Sequence, residues 1–330
     1  MSEGHPPAIQ PVPADVQRPF WSVMIPCYNS DELLARTLSS VLAQDPGAAE
    51  MQIEVVDDAS TTGDPAAVVE AVGKGRVGFH RHPENVGAAR NFSACAQRSY
   101  GEWVHILHGD DVVLPGFYDR YRERIAQCPD AVMVGAQTLY VDAQERYVGV
   151  TPPLETVGGC IPHADHVLAA QHPLRCVSMV VRRTAYEKAG GFDPTLSHTN
   201  DWELMTRMAG LGPVAWVDSP LGLYRTHPDS DSNRLHQSTG YLDDCLRAVE
   251  LVTARFGDDV QRSQVRSAML RFTSEYALDV ATGLVHRGWH RAAAKNALRG
   301  ARIDPSVHSW SRAGDVLWTA VKGRLAAARR

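Results

Sequence analysis

Residues 51–60 read Met-Gln-Ile-Glu-Val-Val-Asp-Asp-Ala-Ser, an apolar-rich run that stops abruptly at two carboxylates and a hydroxyl. The length and branched side chains of 51–56 predict a strand, and Asp57-Asp58-Ala59-Ser60 the turn that ends it. Upstream, Trp21-Ser22-Val23-Met24-Ile25 is a second compact apolar strand, ended by Pro26. Between the two, Leu33, Leu34, Leu38, Val41 and Leu42 recur at helical spacing. Asn29 and Ser30 are placed to cap that helix, with Glu32 as a capping-box partner and Pro46-Gly47 as the stop. Downstream come a helix over 65–73, a short strand at 77–80, a helix near 86–99 and a strand at 103–107. Such alternation predicts a parallel, doubly wound sheet, whose ligands sit at the carboxyl ends of the strands. Cys27-Tyr28-Asn29, Asp57-Asp58 and His108-Gly109-Asp110-Asp111 all fall at those ends.

The chain has 330 residues, 44% of them hydrophobic and 22% charged, the balance of a folded globular protein. Lys+Arg 33 against Asp+Glu 38 leaves a net charge of −5, so no nucleic-acid partner is expected. The charge is uneven: from Arg287 to Arg330 there are ten basic and two acidic residues. That end is either a solvated helical face or the contact for an anionic partner. Residues 1–19 contain five prolines and predict a disordered leader without a signal-peptide core. No stretch approaches the roughly 20 apolar residues of a membrane span. A cytoplasmic location is expected, with peripheral contact at the inner membrane face as an option. The six cysteines lie far apart with no CxxC pair, which predicts reduced thiols.

The second half is less regular. Strand-like runs occur at 131–141 and 176–182, helix-like runs at 201–210 and 240–256, and the chain reads as helices from about 262 onward. Near the end Leu317, Val321, Leu325 and Ala328 share a face, with Lys322, Arg324, Arg329 and Arg330 near the polar side.

No GxGxxG follows the first strand and no GxxxxGK[ST] occurs, so neither phosphate-cradling glycine loop is present. Strand ends rich in Asp instead suggest phosphate handled through Mg²⁺ or Mn²⁺, ions that take carboxylate and phosphate oxygens.

Together these segments resemble the inverting family 2 glycosyltransferases, which use nucleotide-sugar donors. Ser22–Asn29 resembles their opening strand, Val56-Asp57-Asp58-Ala59-Ser60 their VDDGS element, and Asn85-Val86-Gly87 with Arg90-Asn91 their N-x-G…RN segment. Gly101-Glu102-Trp103 and Leu107–Asp111 resemble GEY…LDxDD. Gly190-Gly191-Phe192-Asp193 with Asn200–Leu204 and Arg207 resembles GGFD…EDWDLxxR, and Tyr224-Arg225-Thr226-His227 resembles YRxH. The resemblance spans 21–227. It implies a GT-A-type, Rossmann-like α/β fold, with a mostly parallel sheet flanked by helices and a C-terminal helical extension. The implied organisation is a leader at 1–19, a catalytic domain at 20–235 and a helical region at 236–330. Within the catalytic domain, 20–115 would bind nucleotide and 116–235 acceptor.

Residue by residue, the resemblance implies that Tyr28 and Asp58 hold the nucleobase, with Pro26 and Asn29 shaping the pocket. Asn85 and Arg90 would complete the nucleotide-sugar site. Asp110 would bind a divalent metal on the diphosphate, assisted by His227, and Asp201 would be the general base. Pro26 and Asn29 fit equally well as a strand end and a helix cap, and Asp57 as a turn residue. Trp202 and Phe192 fit packing better than sugar stacking. There are three departures. His108 stands at the first DxD position, the span from Asn85 to Arg90 is two residues shorter than in many members, and Asn200 replaces the Glu beside the base. The implied partners are a nucleoside-diphosphate sugar, with UDP or dTDP favoured because Asp58 can accept an imide N–H, and a glycan or lipid-linked acceptor. A homo-oligomer stays open. A sugar-phosphate nucleotidyltransferase would carry a basic glycine loop after the first strand, and a silent donor-binding module would need no base at Asp201.

Overall fold

The computed structural model describes residues 5–153, 159–226 and 231–327. It divides into two compact units, one ending at Thr226 and one continuing from His227, the latter also taking in 169–171 and 196–199. The expected boundary at 235/236 therefore falls earlier.

The first unit is built on one sheet. Its strands are β1 (Trp21–Cys27), β2 (Met51–Asp57), β3 (Gly78–Arg81), β4 (Trp103–Ile106), β5 (Val112–Val113), β6 (Met133–Val141), β7 (Tyr147–Val150), β8 (Gly159–Ile161), β9 (Met179–Arg182) and β10 (Val214–Arg225). They are ordered β3-β2-β1-β4-β9-β6-β10-β5, with β7 on β6 and β8 on β10. Along that path only β9 and β5 run against the others, so the sheet is mostly parallel. The helices are α1 (Asp31–Leu42), α2 (Pro65–Gly73), α3 (Ala88–Arg98), α4 (Phe117–Gln127), α5 (Asp165–Gln171), α6 (Arg183–Ala189) and α7 (Asn200–Ala209).

Register puts the polar clusters together. β1 pairs in parallel with β2 on one side, Cys27 opposite Asp57, and with β4 on the other, Met24 opposite Ile106. The residues following all three strands therefore emerge along one edge. β5 then pairs antiparallel with β10, Val112 opposite Leu223, which carries the chain after Asp111 alongside the end of β10. Beneath this edge Trp21, Trp103, Phe117 and Tyr121 are buried with Val23, Ile25 and Val55. The rings of Phe117 and Tyr121 stack with their centroids 4.0 Å apart.

Two expectations are overturned here. The described part of the leader, 5–19, is ordered against the body. Ile9 is buried, the Gly191 N–H donates to the Pro7 carbonyl at 2.8 Å, and the buried Arg183 donates to the Gln10 carbonyl at 2.9 Å. Arg18 in turn donates to the Tyr100 and Gly101 carbonyls. Prolines make this segment extended before it docks, so little entropy is lost. Nor are all the cysteines thiols: Cys128, at the end of α4, is joined to Cys160 of β8. Cys27, Cys95, Cys176 and Cys245 are free and buried. β8 pairs with β10 and β10 with β6, so sheet pairing links the strands that follow each cysteine's neighbourhood.

The second unit is helical: α8 (Asp231–His236), α9 (Gly240–Thr253), α10 (Asp259–His286), α11 (His290–Ile303) and α12 (Val307–Ala327). Asp258 caps α10 by accepting the Gln261 N–H at 2.7 Å. Leu278 and Ala281 of α10 pack with Ala297 and Ala301 of α11 and Ala313 and Val316 of α12. The small side chains bring α10 and α11 close: a Cβ on Gly300 would meet that of Ala277 at 2.9 Å. Among the described residues no helix is long and apolar enough to cross a membrane.

Candidate active site

The turn after β2 is organised by its two carboxylates. Asp57 is fully buried; it accepts from the Ser60 hydroxyl and amide and pairs with Arg81. It is the turn residue its position suggested. Asp58, also buried, accepts the Val86 N–H at 2.7 Å on one oxygen and the Gly87 N–H at 3.0 Å on the other. The Asn85 side chain donates to the Asp58 carbonyl at 3.1 Å. Burial pushes the Asp58 carboxyl above its ordinary value, partly offset by those two amides. Each carboxylate oxygen keeps a second lone pair for a ligand.

Asn29 is not a helix cap. Its backbone is left-handed (φ 52°), and its side-chain oxygen accepts the Thr61 and Thr62 amides at 2.8 and 3.1 Å. It therefore ties the loop after β1 to the loop after β2, and the capping role passes to Ser30, which makes no side-chain cap bond. Tyr28 beside it is 44% exposed, a large ring left uncovered at the strand ends. The Pro26 carbonyl accepts the Gly109 N–H at 3.1 Å, joining the loop after β1 to that after β4. Pro26, Asn29, Asp58 and Asn85 thus form one connected rim. Arg90 lies exposed near the start of α3 and makes no hydrogen bond or ion pair among the described residues.

His108, Asp110 and Asp111 each offer a ligand atom, all within 4.8 Å of one another. Asp111 is buried; one oxygen accepts the Arg225 N–H at 3.0 Å, and the other makes no hydrogen bond and stands 4.0 Å from Nδ1 of His108. Burial and the adjacent Asp110 push the Asp111 carboxyl well above the carboxylate range, the behaviour of a buried acid beside a like charge. His108 stacks on Phe92 at 4.7 Å, which fixes its ring. Arg225, buried at the end of β10, donates to the Asp110 carbonyl at 3.2 Å and to Glu145 at 3.0 Å. These three side chains suit a divalent cation: two carboxylates and an imidazole, with one buried carboxylate oxygen that makes no hydrogen bond. His227 lies outside the described residues.

Asp201 sits in the first turn of α7. One oxygen accepts the Trp202 N–H at 2.7 Å, and the other lies 3.4 Å from Nε2 of His172. His172, in a left-handed conformation after α5, stacks on Trp202. Its burial lowers the imidazole pKa, an effect Asp201 opposes. Trp202 is buried with its indole N–H on the Leu168 carbonyl, and Phe192 is fully buried, so both are packing residues. Glu203, with no exposed surface, forms a two-pronged pair with Arg207. Arg207 also donates to the carbonyls of Ala189, Gly190 and Gly191, so the segments resembling GGFD and EDWDLxxR are one latch.

Asp201 and Asp111 both add to the upward push that burial exerts on the Cys176 thiol. Sequence reasoning missed His172 and the double role of Asp111. The first carries no motif signal, and the second depends on Arg225, more than a hundred residues away.

A Rossmann-like, mostly parallel sheet flanked by helices, with its polar turns gathered at the strand ends, is the architecture of a GT-A-type protein. The chain belongs to glycosyl transferase family 2, whose model matches residues 22–189. The succinoglycan biosynthesis protein ExoO of Rhizobium meliloti is 25% identical over 97% of each chain. The chain spans between 27% and 61% of the length of four other curated relatives. Among solved structures, S. aureus TarS 1–349 in complex with UDP-GlcNAc matches with a TM-score of 0.62 at 15% identity, covering 93% of this chain and 92% of that one. The Pyrobaculum calidifontis mannosyltransferase PcManGT, in complex with GDP-Man and Mn²⁺, matches with 0.52 at 18% identity, covering 97% and 90%. Both are likenesses of fold.

Proposed function

We propose that the protein transfers a sugar, with inversion, from a nucleoside-diphosphate sugar to a hydroxyl of a glycan or lipid-linked acceptor in polysaccharide biosynthesis. The relation to a succinoglycan biosynthesis protein supports the acceptor class. The UDP-GlcNAc complex of a fold neighbour, together with the two-oxygen rim of Asp58, supports a uracil or thymine base on the donor. Tyr28 covers the base, while Pro26, Asn29 and Asn85 hold the rim in shape, and Arg90 contributes charge near the start of α3.

Asp110, with His108 and Asp111, would hold Mn²⁺ or Mg²⁺, and His227 would assist. The ion supplies charge neutralisation for the departing diphosphate. The imidazole moves the donor set away from the all-oxygen set Mg²⁺ prefers, which favours Mn²⁺. Arg225 adds a fixed positive charge beside the same groups. Asp201 accepts the proton of the acceptor hydroxyl as its oxygen forms the new bond to the anomeric carbon. The bond from that carbon to the diphosphate breaks on the opposite face, so the configuration inverts. His172 orients the carboxylate.

The observation that carries this reading is the gathering of the Asp58 rim and the His108–Asp110–Asp111 cluster at adjoining parallel strand ends. A thermal-shift panel of UDP, dTDP, GDP and CMP, each with and without Mn²⁺, tests it. Ligand at about 100 times its dissociation constant adds roughly 2.7 kcal/mol of stability. A Mn²⁺-dependent shift with UDP or dTDP is expected; no shift with any nucleotide overturns the donor assignment.

A further inference from the structure

α12 carries two faces of opposite fate. Ser309, Ala313, Val316 and Ala320, spaced four, three and four apart, are buried in the helical unit. On the other side Val307, Trp310, Trp318 and Val321 fall on one line at spacings of three, eight and three. They are exposed by 89, 45, 61 and 50%, and Gly314 fills the gap between the two tryptophans. The helix therefore satisfies its packing with small residues and turns its large apolar ones to solvent. Isolated exposed apolar residues are ordinary, but an aligned stripe with two indoles marks a contact surface.

Charge identifies the partner. Arg291, Lys295 and Arg302, spaced four and seven apart, line one exposed face of α11. The Lys322 ammonium stands 4.8 Å from the Trp318 ring. The segment Arg287–Arg330 holds ten basic residues and two acidic ones. A second copy seated on this face would bring like charges together, which disfavours self-association. An anionic lipid surface meets both features: indole rings settle at the boundary between headgroups and acyl chains, and lysine and arginine pair with lipid phosphates.

We infer that the α11–α12 face is a docking surface for anionic phospholipid bilayers, with Trp310 and Trp318 as interfacial anchors. The inference is independent of the donor and base assignments. It is tested by co-sedimentation of the full chain with phosphatidylcholine vesicles, with and without about one third phosphatidylglycerol. Binding to the anionic vesicles alone is expected. It should weaken as ionic strength rises from about 0.1 to about 1 M, where the Debye length falls from ~10 to ~3 Å. Replacing both anchors (Trp310→Ser with Trp318→Ser) should lower partitioning about tenfold, the loss of two half-buried rings. Should that variant misfold, Lys295→Glu with Lys322→Glu alters only exposed side chains and should abolish the preference for anionic vesicles. Equal binding to neutral and anionic vesicles overturns the inference. So does unchanged binding in a folded variant, or a dimer that the Trp substitutions dissolve without vesicle binding.

Discussion

Arg207→Met should be among the most damaging single substitutions in the first unit. Arg207 makes both prongs of its pair with Glu203, at 3.0 and 2.8 Å, and Glu203 has no exposed surface. Removing one partner of a buried pair costs about 3–5 kcal/mol, because the remaining charge keeps its desolvation penalty. The bonds from Arg207 to the carbonyls of residues 189–191 add about 1 kcal/mol each, less whatever water recovers. The sum, about 6–8 kcal/mol before any recovery by water, would consume a large share of the 5–15 kcal/mol that stabilises an ordinary domain. Urea unfolding followed by tryptophan fluorescence measures it. The double variant Glu203→Leu with Arg207→Met removes the buried carboxylate as well and should recover about 2 kcal/mol of the loss. Because α7 also carries Asp201, transfer activity should fall in the single variant below its unfolding midpoint. A single-variant loss under about 1 kcal/mol, or a double variant no better than the single, would refute the latch.

Asp201→Asn should keep the nucleotide thermal shift and lose transfer by at least about a hundredfold, read by release of nucleoside diphosphate; near-normal turnover would remove the base assignment. Burial holds His105 at about 3, so it stays neutral in the fold while the unfolded chain takes up a proton near 6.5. Stability is thus lost on acidification, by about 2 kcal/mol between pH ~7 and pH ~5, and His105→Phe should flatten that slope in urea titrations at the two pH values. Replacing Cys128 and Cys160 by Ser opens a link across 32 residues of sequence and should cost about 3–4 kcal/mol, visible as an equal loss when the native protein is reduced before unfolding. Asn29→Gly should be more stable than Asn29→Ala by about 1 kcal/mol, since both lose the Thr61 and Thr62 bonds but only Ala resists the left-handed backbone; equal denaturation midpoints would contradict this.

The nucleotide half was legible because its strands are short, apolar and stopped by polar turns, and because neighbours in sequence are neighbours in space. The end of β2 could be read from Val56-Asp57-Asp58 alone. β10 could not. Its twelve residues include Asp218-Ser219-Pro220, which reads as a turn, and the strand survives only because its pairing with β6 shifts register between Val217 and Gly222. Likewise the leader looks unable to fold by itself. Its order comes from Arg183 and Gly191, distant donors whose need for acceptors no local pattern announces. The Cys128–Cys160 link was hidden for the same reason: the spacing carries no signature, and the tertiary arrangement of α4 and β8 decides it.

The candidate site divides along the same line. Asn29, Asp57, Glu203 and Arg207 match the family's motifs, yet each spends its polar atoms on bonds that brace the turns after β1 and β2 or the α7 segment. Those matches therefore speak first for the shape of the strand-end edge and only second for chemistry. What distinguishes a reacting centre from a well-braced turn is the set of groups whose capacity is not exhausted by the fold. Asp111 has one oxygen bonded to Arg225 and one that makes no hydrogen bond, and the Tyr28 ring is 44% exposed. In the proposed reaction His108 would offer an imidazole where the resembled motif has a carboxylate, so it would change which ion the cluster suits while still offering a ligand atom. On that reading the departure from DxD is a change in donor chemistry. It is the feature of this chain on which the metal preference of the proposed reaction turns.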